Sequence, residues 1–203
     1  MTFSEEELQL IQNAKDEGGD IWNNERLSDL KSKIKKYYQD IKDVCCYCRR
    51  NLQDEFKMVI DIEHVLPKSK YAEYMFELGN LNISCKRCNM RIKREKDDFI
   101  VDTLTIRNNY ALSSQYRIIH PNFDLYIQNM NVLRFEYNDI KLTKYKPITE
   151  KGKFTYNYFE LKKLEVNSLN DAQGITTISD DSVESEGLTD NLKDELENLL
   201  AKL

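Results

Sequence analysis

Two cysteine pairs, each spaced Cys-x-x-Cys, constrain this chain more than any other feature of its sequence. Cys45 and Cys48 form the first pair, Cys85 and Cys88 form the second, and together they hold four of the five cysteines. Each pair offers two sulfur ligands from one turn, so the two pairs complete the tetrahedral shell of a structural zinc ion. Two reduced pairs without metal are the alternative. We predict the zinc site, with Cys46 as a small packed residue or a thiol just outside the ligand shell.

The composition indicates where such thiols would stay reduced. The net charge is −5 over 203 residues, and no apolar run approaches the roughly 18 residues of a membrane span. Segment 1–9 is acidic and lacks the pattern of a secretory signal. We therefore expect a soluble, cytoplasmic protein without membrane contact, whose thiols bind metal rather than form disulfides. Bases outnumber acids in 45–96 and acids outnumber bases in 179–203, so a basic core carries an acidic tail.

Periodicity predicts an α+β arrangement around the cysteines. Ser4 and Glu7 fit a capping box that begins a helix, which the glycines at 18 and 19 end. A second amphipathic helix follows over 27–41, with its lysines on the face away from the apolar stripe. Alternation predicts a strand over 58–63 and a short strand at 81–83. The stretch 86–98 lacks glycine and proline and suits a helix.

The pattern weakens after residue 98. Segments 132–137 and 140–145 predict a hairpin turning at Asn138 and Asp139, and 153–164 predicts a helix. Segment 170–187 is rich in Asn, Asp, Ser and Gly, which is typical of a linker. The leucines beyond it recur at helical spacing, so we predict an acidic C-terminal helix.

Three residues near the cysteines offer chemistry that a structural zinc site does not use. A zinc ion held by four cysteines is coordinatively full, so Glu63, His64 and Asn89 need another explanation. Carboxylate and carboxamide oxygens suit Mg²⁺ or Mn²⁺, and a neutral histidine beside the ion can take a proton from water. A histidine satisfied within the core is the alternative for His64. We predict a second, catalytic metal site.

The segment 45–96 resembles the HNH endonuclease family. The resemblance is carried by Tyr47-Cys48, Glu63-His64-x-x-Pro67-Lys68-Ser69, Asn80-Leu81 and Cys85-x-x-Cys88-Asn89, followed by basic residues. It implies a ββα-metal finger braced by structural zinc within a mainly helical domain, and hydrolysis of nucleic-acid phosphodiester bonds, with DNA as the expected substrate. The chain would then comprise N-terminal helices (1–44), the finger (45–98), a C-terminal extension of the core (99–169) and an acidic linker and helix (170–203).

The same resemblance implies roles for individual residues. His64 would be the general base that activates water, and Asn80 would hold the loop of the finger. Glu63 and Asn89 would bind the catalytic Mg²⁺ or Mn²⁺; because the family usually carries Asp where this chain has Glu63, Asp61 is a further candidate ligand. Lys68 and the bases on or beside the helix would grip phosphates, although each helix base is also a candidate solvated charge. These helix bases are Lys86, Arg87, Arg91, Lys93 and Arg94.

Within the family, the motifs look most similar to HNH proteins of prokaryotic defence operons, including Septu-type and retron-linked nucleases that work with an ATPase. This implies an anti-phage effector nuclease with an operon-encoded ATPase partner, for which the tail 170–203 is a docking candidate. Two other hypotheses remain: a zinc-braced finger that binds nucleic acid without cutting it, and an adaptor whose tail docks a partner.

Overall fold

The computed structural model describes residues 1–56, 58–137 and 140–167. Within these residues the chain mixes helices and strands, which confirms the predicted α+β class. It forms two compact units, Met1–Asp124 and a second that begins at Leu125. Across the described residues no helix has the length and apolar character that crossing a membrane requires. The predicted acidic linker and helix, 170–203, lie outside the described residues.

Helix α1 spans Glu5–Glu17 and begins and ends where the sequence predicts. The Ser4 hydroxyl accepts a hydrogen bond from the Glu7 backbone N–H, and the Glu7 carboxylate accepts one from the Ser4 N–H. This reciprocal pair is the capping box. Gly18 and Gly19 have φ angles of 72° and 71°. Residues with a β-carbon avoid this left-handed region, so the glycines end the helix.

Helix α2, Ser28–Ile41, follows two 3₁₀ turns at Ile21–Asn23 and Glu25–Leu27. Its buried stripe includes Leu30, Ile34 and Tyr38, and the helix packs on the two strands that follow it. Ile41, the last residue of the predicted helix 27–41, is apolar but 56% exposed. It is the last residue of the helix, and the chain becomes extended at the next residue.

Strands β1, Ile60–His64, and β2, Leu81–Cys85, pair antiparallel with His64 opposite Leu81. The chain then enters a π-helix, Arg87–Lys93, so strand, strand and helix follow in the predicted order. The helix is shorter than the predicted stretch 86–98. It ends because Arg94 adopts a φ of 53° and its N–H donates to the Asn89 carbonyl at 2.7 Å.

The rest of the first unit surrounds this strand pair. Two 3₁₀ turns, Ala72–Tyr74 and Leu78–Asn80, connect β1 to β2. Helix α3, Ile106–Asn109, and a 3₁₀ turn at Ser113–Gln115 follow the π-helix. The buried core of the unit includes aliphatic and aromatic side chains from helices, strands and connecting segments: Leu27, Ile34, Leu52, Ile60, Leu81, Ile83, Phe99, Ile106 and Ile118.

The second unit is built on an antiparallel sheet in the order β3, β4, β5. Its elements are α4 (Tyr126–Asn129), β3 (Met130–Tyr137), β4 (Ile140–Pro147), α5 (Glu150–Tyr158), a 3₁₀ turn (Leu161–Leu164) and β5 (Val166–Asn167). Tyr137 pairs with Ile140, as the predicted hairpin requires; the two turn residues lie outside the described ranges. The helix predicted over 153–164 begins earlier, after the cap Thr149, and Glu160 with a φ of 50° separates it from the 3₁₀ turn.

Candidate functional site

The two cysteine pairs converge on one buried cluster. The ligand atoms of Cys45, Cys48, Cys85 and Cys88 all lie within 4.8 Å of one another. The first pair sits on a tight turn, where the Arg49 N–H donates to the Cys45 carbonyl at 2.9 Å, and the second pair lies where β2 passes into the π-helix. Four buried sulfurs at this separation could hold a metal ion such as zinc, as predicted.

The ionisation of these thiols favours a bound cation. Burial opposes ionisation of Cys45, yet hydrogen bonds from the neighbouring cysteines hold its pKa well below the ordinary value. Hydrogen bonding to Cys45 in turn raises the pKa of Cys48 and of Cys88 above their ordinary values. The pKa of Cys85 is lowered, but further thiolates beside an ionised one are repelled, so all four sulfurs ionise together only with a cation between them.

Cys46, the fifth cysteine, lies beside the cluster but is not part of it. Its side chain is buried at 3% exposure, and its backbone N–H donates to the Ile83 carbonyl at 3.0 Å. This bond fastens the first cysteine turn to β2. The location agrees with the prediction of a packed residue near the ligand shell.

His64 ends β1 and lines an open cleft, here called the His64 cleft. Its Nε2 lies 3.1 Å from the Met75 carbonyl oxygen. A carbonyl only accepts, so Nε2 carries the proton and donates, which leaves the Nδ1 lone pair as the proton acceptor. The Trp22 ring packs against the imidazole at a centroid distance of 4.3 Å with the planes 80° apart. These two contacts fix the orientation of the ring.

The imidazole of His64 is held neutral. Burial, followed by the positive charges of Lys93 and Lys68, lowers its pKa from 6.5 to about 3, against the opposing effect of the bond to Met75. Neutral imidazole can accept a proton at pH 7. The same low pKa makes His64 a weak base until a negative charge enters the cleft.

Asp61 and Asn89 meet at the wall of the same cleft. The Asn89 amide donates to Asp61 Oδ2 at 3.3 Å, and the Lys86 ammonium donates to Asp61 Oδ1 at 3.2 Å. Asp61 lies on β1, whereas Asn89 and Lys86 lie on or just before the π-helix that follows β2. A carboxylate and a carboxamide beside each other offer hard oxygen ligands, so these two residues suit a divalent ion.

Glu63, predicted to bind the catalytic ion, lies elsewhere. Its carboxylate is fully buried and pairs with the Lys93 ammonium at 2.8 Å. Tyr47 donates to the same oxygen at 3.1 Å, and Ser84 lies 3.4 Å from the other. Burial raises the pKa of Glu63, and the charge of Lys93 opposes that rise. The carboxylate therefore faces the interior of the unit and not the cleft.

Lys93, predicted to contact nucleic acid, is also internal. Its side chain is 1% exposed, and its ammonium donates to the His64 carbonyl at 2.7 Å as well as pairing with Glu63. The residue following Lys93 has the φ of 53° that ends the helix. Lys93 thus joins the end of the π-helix to the end of β1, and it is not accessible to a phosphate.

Asn80 is fully buried and holds the connection between the strands. Its Oδ1 accepts from the Leu66 N–H at 2.7 Å, and its Nδ2 donates to the carbonyls of Leu66 and Tyr74 at 3.2 and 3.0 Å. The Asn80 carbonyl accepts from the Val65 N–H at 2.9 Å. These bonds fix the backbone that directly follows His64, in the position where the sequence predicts the loop-holding asparagine.

The predicted basic contacts divide into two groups. Lys68 and Lys86 line the His64 cleft, whereas Arg91 and Arg94 are exposed elsewhere and Arg87 is half-buried. The sequence reasoning did not assign Trp22 or the lysines of α2 to the site, yet these residues line the cleft: Trp22, Lys31, Lys33, Lys35 and Lys36. Helical periodicity placed those lysines away from the core, but only the packing of α2 on the strands shows which cleft they line.

Comparison with known proteins gives a partial relative. The chain is 34% identical over 86 residues to the Septu protein PtuB of Bacillus thuringiensis. The aligned stretch is 41% of this chain and 30% of that protein, so the likeness concerns a segment and not the whole of either chain. No protein-family profile matches the chain, and no solved structure matches it.

Proposed function

We propose that the first unit is a metal-dependent HNH-type endonuclease that hydrolyses nucleic-acid phosphodiester bonds. The observation that supports this most is that His64, Asp61 and Asn89 line one cleft, although they come from a strand end, a strand and a helix. In this proposal Asp61 and Asn89 hold the divalent ion, Mg²⁺ or Mn²⁺. Glu63 is left out of the ligand set because Lys93 already neutralises it inside the unit.

His64 is the proposed general base. Its Nδ1 takes the proton of a water molecule, while Nε2 stays bound to the Met75 carbonyl and keeps the ring oriented. The phosphate of a bound substrate brings negative charge near the imidazole, which raises its pKa and strengthens it as a base. A divalent ion on Asp61 and Asn89 would neutralise charge on the phosphoryl oxygens and assist the leaving oxygen.

The donor set fits a hard cation. One oxygen of Asp61 pairs with the Lys86 ammonium, so the site already attracts positive charge. Lys86 is about half exposed, at 47% for its side chain, and is free to turn toward solvent. When an ion binds, the released ammonium becomes available to a substrate phosphate.

The proposed setting is prokaryotic anti-phage defence, with an operon-encoded ATPase as partner. The likeness to a Septu protein supports this setting. The alignment spans 30% of that protein, so the nuclease activity and the ATPase partner are both proposals for this chain.

A second candidate function is nucleic-acid binding without cleavage. The Lys86 ammonium on Asp61 favours it, since a carboxylate that keeps this ammonium cannot hold an ion. The low pKa of His64, about 3, favours it as well. The two functions differ in one measurable property, which is metal-dependent bond cleavage.

Plasmid nicking separates the two functions. We expect the purified full chain to nick plasmid with Mg²⁺ or Mn²⁺ and not without added divalent ion. His64→Ala should reduce nicking by about a hundredfold or more, the usual contribution of a general base. Asp61→Asn should also reduce nicking strongly, because it removes the proposed carboxylate ligand of the divalent ion. Asp40→Asn is the matched control, because Asp40 lines the same cleft but pairs with Lys36 at the surface.

Two results would reject the nuclease proposal. One is nicking that persists above roughly one-tenth of the normal rate in His64→Ala, since loss of the base should cost more. The other is binding of nucleic acid without any metal-dependent cleavage, with the ATPase present or absent, which supports the binding module instead.

A further inference from the structure

Two lysines beside His64 are not neutralised by any acid in the described part of the chain. Lys31, on α2, donates to the Trp22 carbonyl at 3.1 Å and lies 5.9 Å from the centroid of the Trp22 ring. Lys68 follows β1, and its charge contributes to lowering the pKa of His64. Both lysines line the His64 cleft. Other cleft lysines differ, since Lys36 pairs with Asp40 at 3.2 Å.

Lys31 and Lys68 share an acidic neighbour, Asp20. Asp20 caps the turn carrying Trp22, and it is near enough for the charges of both lysines to affect its pKa. A hydrogen bond from Asn23 and then the charges of Lys68 and Lys31 hold the pKa of Asp20 below its ordinary value. Neither lysine forms an ion pair with Asp20 in the described residues. One positive charge therefore lies beside Trp22, and the other is near enough to His64 to lower its pKa.

We propose that Lys31 and Lys68, beside the turn that carries Trp22, form a phosphate subsite next to the reacting bond. It binds the phosphodiester backbone of the nucleic acid whose cleavage is proposed above, and the inference rests on that function. The contact with Trp22 holds the Lys31 ammonium in place. Lys31 and Trp22 lie on the N-terminal elements, outside the strand–strand–helix segment that carries His64, Asp61 and Asn89, whereas Lys68 lies in the connection between β1 and β2.

Backbone recognition fits this subsite better than base recognition. Lysine ammonium groups bind phosphate as point charges and carry no sequence information. The Trp22 ring is occupied on one side by the His64 imidazole and contacts Phe76 at a centroid distance of 5.5 Å. The ring is thus engaged within the protein, and the groups left to contact a ligand are the ammonium groups of the two lysines. The expected effect of the subsite is affinity and register for the phosphate adjacent to the scissile one.

The test measures binding and not cleavage, so it separates this inference from the nuclease proposal. A labelled oligonucleotide, single-stranded or duplex, is titrated with full-length His64→Ala protein without added Mg²⁺ at several salt concentrations. Lys31→Met and Lys68→Met should each weaken binding roughly three- to tenfold near 0.1 M salt. Each should also reduce the slope of log K against log salt by about 0.9 for duplex or 0.7 for single strands.

Two control variants show whether a change in affinity comes from the charges at Lys31 and Lys68. Lys36→Met removes a lysine from the same helix and cleft that already has an acid partner, and it should leave affinity and salt slope unchanged. Asp20→Asn keeps the oxygen that caps the turn but removes the anion near both lysines, and it should strengthen binding.

The outcomes are distinct for the two proposals. If Lys31→Met and Lys68→Met bind as tightly as Lys36→Met, with the same salt slope, the phosphate subsite is rejected even when nicking is intact. If the lysine variants lose affinity while the active chain never nicks, the subsite stands and the nuclease proposal falls. If His64→Ala protein binds no oligonucleotide at all, the subsite is rejected.

Discussion

Asp61 and Glu63 stand two residues apart on one face of β1, yet their carboxylates experience opposite surroundings. The π-helix lies over that face, and its beginning and its end supply different partners. Near its beginning, Lys86 and Asn89 reach Asp61, which stays partly exposed at 20% of its side chain. At its end, Lys93 pairs with Glu63, where neither side chain is more than 1% exposed. One acid is left available to a ligand and the other becomes part of the core.

The buried Glu63–Lys93 pair predicts that two lysine variants differ strongly in their free energy of unfolding. Lys93→Met leaves the Glu63 carboxylate buried without its partner, so the free energy of unfolding should fall by about 3–5 kcal/mol. Lys86→Met breaks a half-exposed pair and should cost roughly 0–1 kcal/mol. Urea unfolding of both variants checks this. The double variant Glu63→Gln/Lys93→Met should regain much of the loss, and an equal cost for the two single variants would contradict the assignment.

The pH dependence of the Lys93→Met variant follows from the same pair. Burial already raises the pKa of Glu63 above its unfolded value of 4.5, and Lys93 opposes the rise. Without Lys93 the folded pKa rises further, so the folded variant holds a proton that the unfolded chain has released. Stability should therefore fall as the pH increases above about 4.5, more steeply than in the wild type. A flat profile for the variant would show that Glu63 finds another cation.

His64 predicts a pH effect of the opposite sign. Its folded pKa of about 3 lies below the unfolded value of 6.5, so the unfolded chain takes up a proton that the folded chain does not. This contribution to stability is complete above pH 6.5 and is lost as the pH falls toward 3. His64→Gln keeps a donor for the Met75 carbonyl but cannot titrate. Between pH 8 and pH 4.5 the wild type should lose more unfolding free energy than the variant; parallel curves would contradict the neutral, buried imidazole.

At the scale of elements, the π-helix is ended by a residue poorly suited to its conformation. Arg94 adopts φ 53° and ψ −129°, a region that glycine occupies at little cost. Arg94→Gly should therefore stabilise the chain by about 1 kcal/mol. Arg91→Gly lies within the helix and should destabilise it by a similar amount. Thermal unfolding of the two variants tests this, and a loss of stability in both would show that Arg94 contributes more through its bond to the Met90 carbonyl.

Local sequence signals predicted the helices and strands better than they predicted which side chains contact one another. The capping box at Ser4, the antiparallel pair of strands and the hairpin of the second unit all depend on neighbouring residues, and these predictions are confirmed. Strand alternation also placed Asp61 and Glu63 on one face. It could not show which end of a helix would cover each acid, because that depends on where the π-helix lies relative to the strand. The same limit hid the lysines of α2, whose cleft is formed only when α2 packs on β1 and β2.

At the scale of the whole molecule, the cysteine cluster joins two segments that flank the strand pair. Cys45 and Cys48 precede β1, while Cys85 ends β2 and Cys88 follows it, so a metal ion there would close a loop containing His64, Asp61 and Asn80. Tyr47 lies between the first two ligands and donates to Glu63 at 3.1 Å. None of the four sulfurs lies in the wall of the His64 cleft, yet the order of that cleft should depend on them.

Zinc removal should therefore disturb the cleft from a distance. The chain has one tryptophan, Trp22, and its ring packs on His64, so its fluorescence reports on the cleft and not on the cysteines. Stripping zinc with a chelator should shift this fluorescence toward that of exposed tryptophan, because loss of a structural zinc ion removes folding free energy. Adding zinc back should restore it. Cys85→Ser should behave like the stripped protein and fail to recover, whereas Cys46→Ser, outside the ligand set, should respond like the wild type. If the stripped protein keeps both its Trp22 fluorescence and its unfolding temperature, the four cysteines do not form a structural metal site.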